Sequence, residues 1–151
     1  MTGLSSMQLA VDLARRECDQ LGLDLARAHK VREAAQDQFN QLESYAQETQ
    51  VRWVTKAQTQ STPEVLRHYY QFMDKLYQAM ALQTQVLQDA ERQVQAQKKL
   101  LLEAEFKRAS RQTVCDNMRQ AANLKRDKLE QKQFDEMAAM QFRKHQLEHK
   151  M

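Results

Sequence analysis

The chain has 151 residues, of which 23 are Lys or Arg and 20 are Asp or Glu, so its formal net charge is +3. Two glycines and one proline are too few turn residues for the loops of a compact globular core of this length. The net charge is too small by itself to indicate nucleic-acid binding. The sequence is rich in Ala, Leu, Gln, Glu, Lys and Arg, which are strong helix formers. We therefore predict one all-α coiled-coil domain over residues 1–151.

The first predicted helix covers residues 5–57 and has apolar residues at alternating spacings of three and four. This spacing marks the a and d positions of a heptad repeat, here called the seam because two helices of a coiled coil meet along it. Arg32 and Thr49 are the polar members of the seam. The seam positions are Met7, Val11, Ala14, Cys18, Leu21, Leu25, Ala28, Arg32, Ala35, Phe39, Leu42, Ala46, Thr49 and Trp53.

Residues 58–62 form the predicted loop, the one strong interruption of the helical pattern. Thr62 is expected to be the N-cap of the next helix, and Pro63 fits its first turn because that position needs no backbone N–H donor. Glu64 is favourably placed at the positive end of the helix dipole.

The second predicted helix covers residues 63–145. Its heptad phase weakens where Arg108 and Arg111 occupy seam positions, and Cys115, Met118, Ala122 and Leu129 partly restore it. Helices joined by so short a loop run antiparallel, so the predicted fold is a long antiparallel two-helix coiled-coil hairpin. The seam continues through Leu66, Tyr69, Met73, Leu76, Met80, Gln83, Leu87, Ala90, Val94, Gln97, Leu101 and Ala104.

A basic overhang at about 116–151 follows from the unequal lengths of the two helices. Residues 106–151 contain 11 Lys or Arg and 6 Asp or Glu. A solvated helix face and a protein-docking tip both fit this composition. Because the charges are mixed and aromatic residues are not interleaved with them, we expect no nucleic-acid binding.

A second stripe flanks the seam near the loop. Gln38, Leu42, Tyr45 and Thr49 repeat at spacings of four, three and four, and Phe72, Leu76, Ala79 and Gln83 have the same spacings. The loop register pairs residue 38 with 83, 42 with 79, 45 with 76, and 49 with 72. The stripes are therefore predicted to merge into one exposed patch that binds a partner protein. The alternative is that these aromatic residues only widen the seam.

Sites for catalysis, metals or cofactors are not indicated. The chain has no Gly-rich phosphate loop, nucleophile elbow or paired-cysteine motif, so we expect no enzyme activity and no cofactor. Cys18 and Cys115 are out of register for a disulfide and are interpreted as small seam residues. His145 and His149 share one helix face, but too few other ligands are near for a metal site. With no secretory segment or membrane-spanning run, we expect a cytoplasmic protein.

The residues that carry a family resemblance are spread over the whole chain. They are Gln38, Gln41, Leu42, Tyr45 and Glu48; Tyr69, Gln71, Phe72, Leu76 and Ala79; and Gln131, Lys132, Asp135, Glu136 and Ala138. In these motifs and in its hairpin layout, the sequence resembles the FliJ family of the bacterial flagellar type III export apparatus.

This resemblance implies a cytoplasmic coiled coil, similar to the γ shaft of rotary ATP synthases. It implies insertion into the hexameric export ATPase, contact with the cytoplasmic domain of the membrane export gate, and recycling of export chaperones. Association with the inner face of the membrane would be peripheral, through the export apparatus. The family's gate-contacting surface maps onto Gln38, Leu42, Tyr45, Phe72, Leu76 and Ala79. Thr49 and Gln83 depart from the family pattern, which has an aromatic residue and a histidine there.

Other functions fit the same helical pattern. The equivalent stalk of a virulence type III secretion system has a similar structure, and genome neighbourhood would separate the two. A homo-oligomeric coiled-coil scaffold would have long heptads without a compact patch. A holdase chaperone would expose apolar surface at the hairpin tips.

Overall fold

The computed structural model describes residues 2–59 and 62–150. Within these residues the chain forms two α-helices and no strand: α1 spans Thr2–Ala57 and α2 spans Pro63–His149. The predicted all-α antiparallel coiled-coil hairpin is confirmed. Helix α1 begins earlier than residue 5 and α2 continues beyond residue 145, so the helical pattern extends further at both ends than its apolar spacing indicated.

Hydrogen bonds define the helix ends on either side of the loop. The Thr59 amide N–H donates to the Lys56 carbonyl oxygen at 3.0 Å, which satisfies one of the free carbonyls at the end of α1. The Val65 amide N–H donates to the Thr62 hydroxyl at 3.3 Å, so Thr62 is the N-cap of α2, as predicted. Residues 60 and 61 of the predicted loop 58–62 lie outside the described residues.

The chain divides into two compact units. The loop unit is Glu17–Ala104, and the terminal unit comprises Met1–Arg16 and Glu105–Met151. In the loop unit, the core next to the loop contains Ala46, Met73 and Leu76, against which Leu42, Tyr69 and Met80 pack. The Trp53 and Tyr69 rings stack beside it, with centroids 4.7 Å apart. Seam residues from both helices therefore form this core, as the heptad pattern predicts.

Two polar seam residues of the loop unit, Arg32 and Gln83, have specific partners on the other helix. The Arg32 guanidinium donates to the Glu91 carboxylate at 3.1 Å, and the Gln83 amide donates to the Ala35 carbonyl oxygen at 2.9 Å. A hydrogen bond from Gln95, with the contribution of Arg32, lowers the pKa of Glu91. These interactions fix the relative register of the helices, because a shift along the axis would separate the partners.

The terminal unit pairs the start of α1 with one part of α2. Val11, Ala14 and Cys115 are buried in it, and a Cβ added at Gly3 would lie 3.3 Å from the Met118 Cε. The pairing ends there: every described residue from 119 to 150 is exposed. The exposed part of the overhang therefore begins slightly later than residue 116.

Candidate partner-docking surface

The predicted partner-binding residues all lie in the loop unit. Helix α1 contributes Gln38, Leu42 and Tyr45, and α2 contributes Phe72, Leu76 and Ala79. They do not share one degree of exposure. Gln38, Tyr45 and Phe72 are exposed, whereas Leu42 and Ala79 are half-buried. Leu76 is only 7% exposed and belongs to the core with Ala46 and Met73.

An aromatic pair, Tyr45 and Phe72, forms the centre of the exposed surface. Each ring belongs to a residue that directly precedes a seam residue, so both flank the seam on the same side. The ring centroids are 5.8 Å apart and the ring planes make an angle of 79°, an edge-to-face arrangement. Tyr45 is 48% exposed and Phe72 is 39% exposed. The pair is therefore held in place by its own contact while much of both rings faces solvent.

The observed ring contact differs from the pairing that the stripe spacing predicts. That spacing set Tyr45 opposite Leu76 and Phe72 opposite Thr49. Because Leu76 and Thr49 are seam residues, their side chains turn into the interior and are buried. Tyr45 instead meets Phe72, the exposed ring one helical turn from the predicted partner.

A hydrogen bond between glutamines continues this surface away from the loop. The Gln83 amide donates to the Gln38 side-chain oxygen at 3.2 Å, which is the pairing that the stripe spacing predicts. Beside it is an open groove of about 420 Å³ lined by Gln38, Gln41, Leu42, Tyr45 and Gln83. The groove offers an apolar floor with amide groups at its edges, a combination suited to a protein side chain.

Carboxylates border the α1 side of the surface. A neighbouring groove of about 490 Å³ shares Gln41 and Tyr45 with the first and is also lined by Asp37 and Glu48. Among the described residues, neither carboxylate forms an ion pair. The two unpaired charges therefore favour a partner that presents lysine or arginine beside the aromatic pair.

Gln41 was not among the predicted partner-binding residues, yet it lines both grooves. It precedes Tyr45 by one helical turn on the same helix. That spacing from an exposed aromatic residue is the signal by which the sequence alone identifies it.

The described residues contain neither a candidate metal site nor a candidate membrane span. The His145 and His149 rings lie next to each other with centroids 4.8 Å apart, but no group of three or more His, Cys, Asp or Glu side chains in the described part of the chain is placed to hold a metal ion. Neither α1 nor α2, over the residues described, has a segment long and apolar enough to cross a membrane.

Comparison with known proteins gives one match. The family model described as Flagellar FliJ protein matches residues 4–147, which is nearly the whole chain. No curated protein and no solved structure matches this sequence.

Proposed function

Because the chain belongs to the flagellar FliJ protein family, a non-enzymatic family of flagellar export, we propose that it is a stalk and adaptor of the flagellar type III export apparatus. In this role it would insert into the export ATPase ring and link the ring to the cytoplasmic domain of the export gate. Export chaperones are its further partners. It acts in the cytoplasm, at the inner face of the cell membrane.

The overhang is the part that we assign to the ATPase ring. In the terminal unit the last residue of α2 that is not exposed is Met118, which lies beside Gly3, and the residues from 119 to 149 are an exposed helix. Exposed apolar residues such as Leu129, Phe134 and Met140 alternate there with basic ones. A helix with this surface gains most of its burial from a partner, which supports insertion into a protein ring.

The exposed aromatic pair is the single observation that carries the gate contact. An edge-to-face pair costs little conformational entropy to bury, since the rings already hold each other in place. Aromatic residues of this kind are frequent binding hot spots. Gln38 and Leu42 share a groove with Tyr45, Ala79 follows Phe72 by two helical turns on α2, and Leu76 lies in the core.

The proposal is tested by measuring affinity for the purified cytoplasmic domain of the export gate. We expect Tyr45→Ala and Phe72→Ala each to weaken binding at least about thirtyfold, since a hot spot contributes about 2 kcal/mol or more. Tyr77→Ala is the matched control because Tyr77 is 52% exposed but flanks the seam on the other side. Equal affinity of all four proteins would remove the aromatic pair from the gate contact.

The ATPase is tested separately, because the two contacts lie in different units. Stimulation of the purified export ATPase should be unchanged in Tyr45→Ala and Phe72→Ala. If the wild-type chain neither binds the gate domain nor stimulates the ATPase, the proposed role in export is wrong.

A further inference from the structure

A longer apolar stripe, made of residues that each directly precede a seam residue, runs along α2 within the loop unit. It consists of Phe72, Ala79, Leu82, Val86, Ala96 and Leu100, with Lys75, Asp89 and Gln93 at its polar positions. The spacings are those of a heptad repeat, but the stripe is displaced from the seam toward the side of the aromatic pair. Leu82 is 66% exposed and Val86 is 48% exposed, so α1 does not cover this stripe.

Helix α1 provides a shorter counterpart on the same side of the seam. Val31, Ala34 and Tyr45 are all exposed there. On the other side of the seam the equivalent positions of α2 are Asp74, Tyr77, Ala81, Thr84, Gln88, Glu91, Gln95, Lys98 and Leu102, and those of α1 include His29, Glu33, Gln36, Asn40 and Glu43. The flank with the stripe, called the apolar flank, is therefore the more apolar of the two, although both border the same seam.

The occupant that fits this flank is an α-helix. Two helices with apolar residues beside their seam form the groove into which a third helix packs in a coiled coil of three helices. From residue 72 to residue 100 the stripe is about 42 Å long at 1.5 Å per residue. A partner helix of similar length with apolar residues at spacings of three and four matches its repeat.

The charges beside this flank favour a basic helix as its occupant. Residues 33–51 of α1 contain four acidic residues and no Lys or Arg; Glu33 and Glu43 lie on the other flank, and the stripe itself carries one basic and one acidic residue, Lys75 and Asp89. Two of these carboxylates, Asp37 and Glu48, line the groove next to Tyr45 without an ion pair among the described residues. An occupant with Lys or Arg on the edges of its apolar face complements them.

We propose that the apolar flank defined by Phe72, Leu82 and Val86 binds one basic amphipathic α-helix of a protein partner, which packs as a third helix beside the hairpin. The inference rests on the proposed function in one respect: the helix belongs to the cytoplasmic domain of the export gate. It extends the docking surface from the aromatic pair to Val86 and Leu100.

The test is titration of the full chain with the purified gate domain. Leu82→Gln and Val86→Gln should each weaken binding at least about tenfold, since each places an amide in a buried apolar contact. Leu102→Gln is the matched control, because Leu102 is 68% exposed and lies outside the stripe. It should bind like the wild type. Circular dichroism of each variant checks that the hairpin is intact.

Two further measurements test the charge and the helical form of the occupant. The double variant Asp37→Asn and Glu48→Gln should bind more weakly at low salt and lose much of the wild type's salt dependence. Hydrogen exchange of the gate domain should show one protected helical segment with net positive charge and apolar residues at spacings of three and four.

The outcomes separate this inference from the proposed function. If the wild type binds the gate domain and Leu82→Gln and Val86→Gln bind equally well, the third-helix site is overturned while the export role stands. If the wild type does not bind, the gate contact itself fails. If the same variants abolish self-association measured by sedimentation, the occupant is a second copy of this chain and the inference is likewise overturned.

Discussion

Leu76 and Phe72 lie one helical turn apart on α2 but in different environments. Leu76 is in the core with Ala46 and Met73, whereas Phe72 meets Tyr45 at the surface. We expect Leu76→Ala to lower the free energy of unfolding by about 2–5 kcal/mol, because it leaves a cavity that the helices close only partly. Phe72→Ala should cost less, about 1–2 kcal/mol, since it removes one edge-to-face contact and a side chain that is already 39% exposed in the folded chain.

Urea denaturation followed by circular dichroism measures both changes. Tyr77→Ala serves as the reference for an exposed aromatic residue. Equal losses for Leu76→Ala and Phe72→Ala would mean that Phe72 is part of the core, and its effect on gate binding would then follow from lost stability.

Gly22 provides a second prediction at the scale of single residues. It lies inside α1 with a helical backbone, and a Cβ built on it meets no atom within 4 Å. Gly22→Ala should therefore raise the free energy of unfolding by about 0.5–1 kcal/mol through the lower backbone entropy of the unfolded chain. Gly3→Ala, near the start of the helix and close to Met118, should give a smaller gain. A loss of stability in Gly22→Ala would contradict the open space around it.

At the scale of elements, the overhang differs from the rest of α2. Seam residues of α2 as far as Met118 are buried or half-buried, whereas Ala122 and Leu129 are exposed although they continue the apolar pattern. The helix continues because its residues favour helix, although no described residue of it beyond Met118 is buried. Its apolar face is thus available to a partner.

Deleting residues 123–151 should separate stability from function. Because every described residue of the deleted segment is exposed, we expect the midpoint of thermal unfolding to stay within about 3 °C of the parent. Stimulation or assembly of the export ATPase should be lost, whereas gate binding should be retained. A truncated chain that melts far below the parent would show that the overhang is packed in solution.

For the whole molecule, the main alternative is a parallel homodimer, because a heptad pattern alone does not choose the partner helix. Spin labels at positions 41 and 82, both exposed, distinguish the two in a chain whose Cys18 and Cys115 are replaced by alanine. Helix axes about 8–10 Å apart place the labels within about 20 Å in the hairpin. In a parallel dimer the same positions of one chain are about 60 Å apart. Sedimentation should also give the mass of one chain.

The amino-acid sequence by itself determined the face of each helix that is buried. Every predicted seam residue from Met7 to Trp53 and from Leu66 to Met118 is buried or half-buried, because heptad periodicity fixes a side chain's direction on its own helix. The Thr62 cap was predictable too, since it depends on neighbouring residues only. Gln38 and Gln83 could be paired from the loop register alone.

Only the tertiary structure decided which side chains meet across the helices and which stay exposed. It joined Tyr45 to Phe72 and gave Arg32 the carboxylate of Glu91 as its partner. These outcomes depend on the rotation and stagger of one helix against the other, and on how far each side chain reaches. Periodicity along one helix contains neither quantity, because the same pattern fits several arrangements of the partner. The end of pairing after Met118 is likewise a property of both helices together.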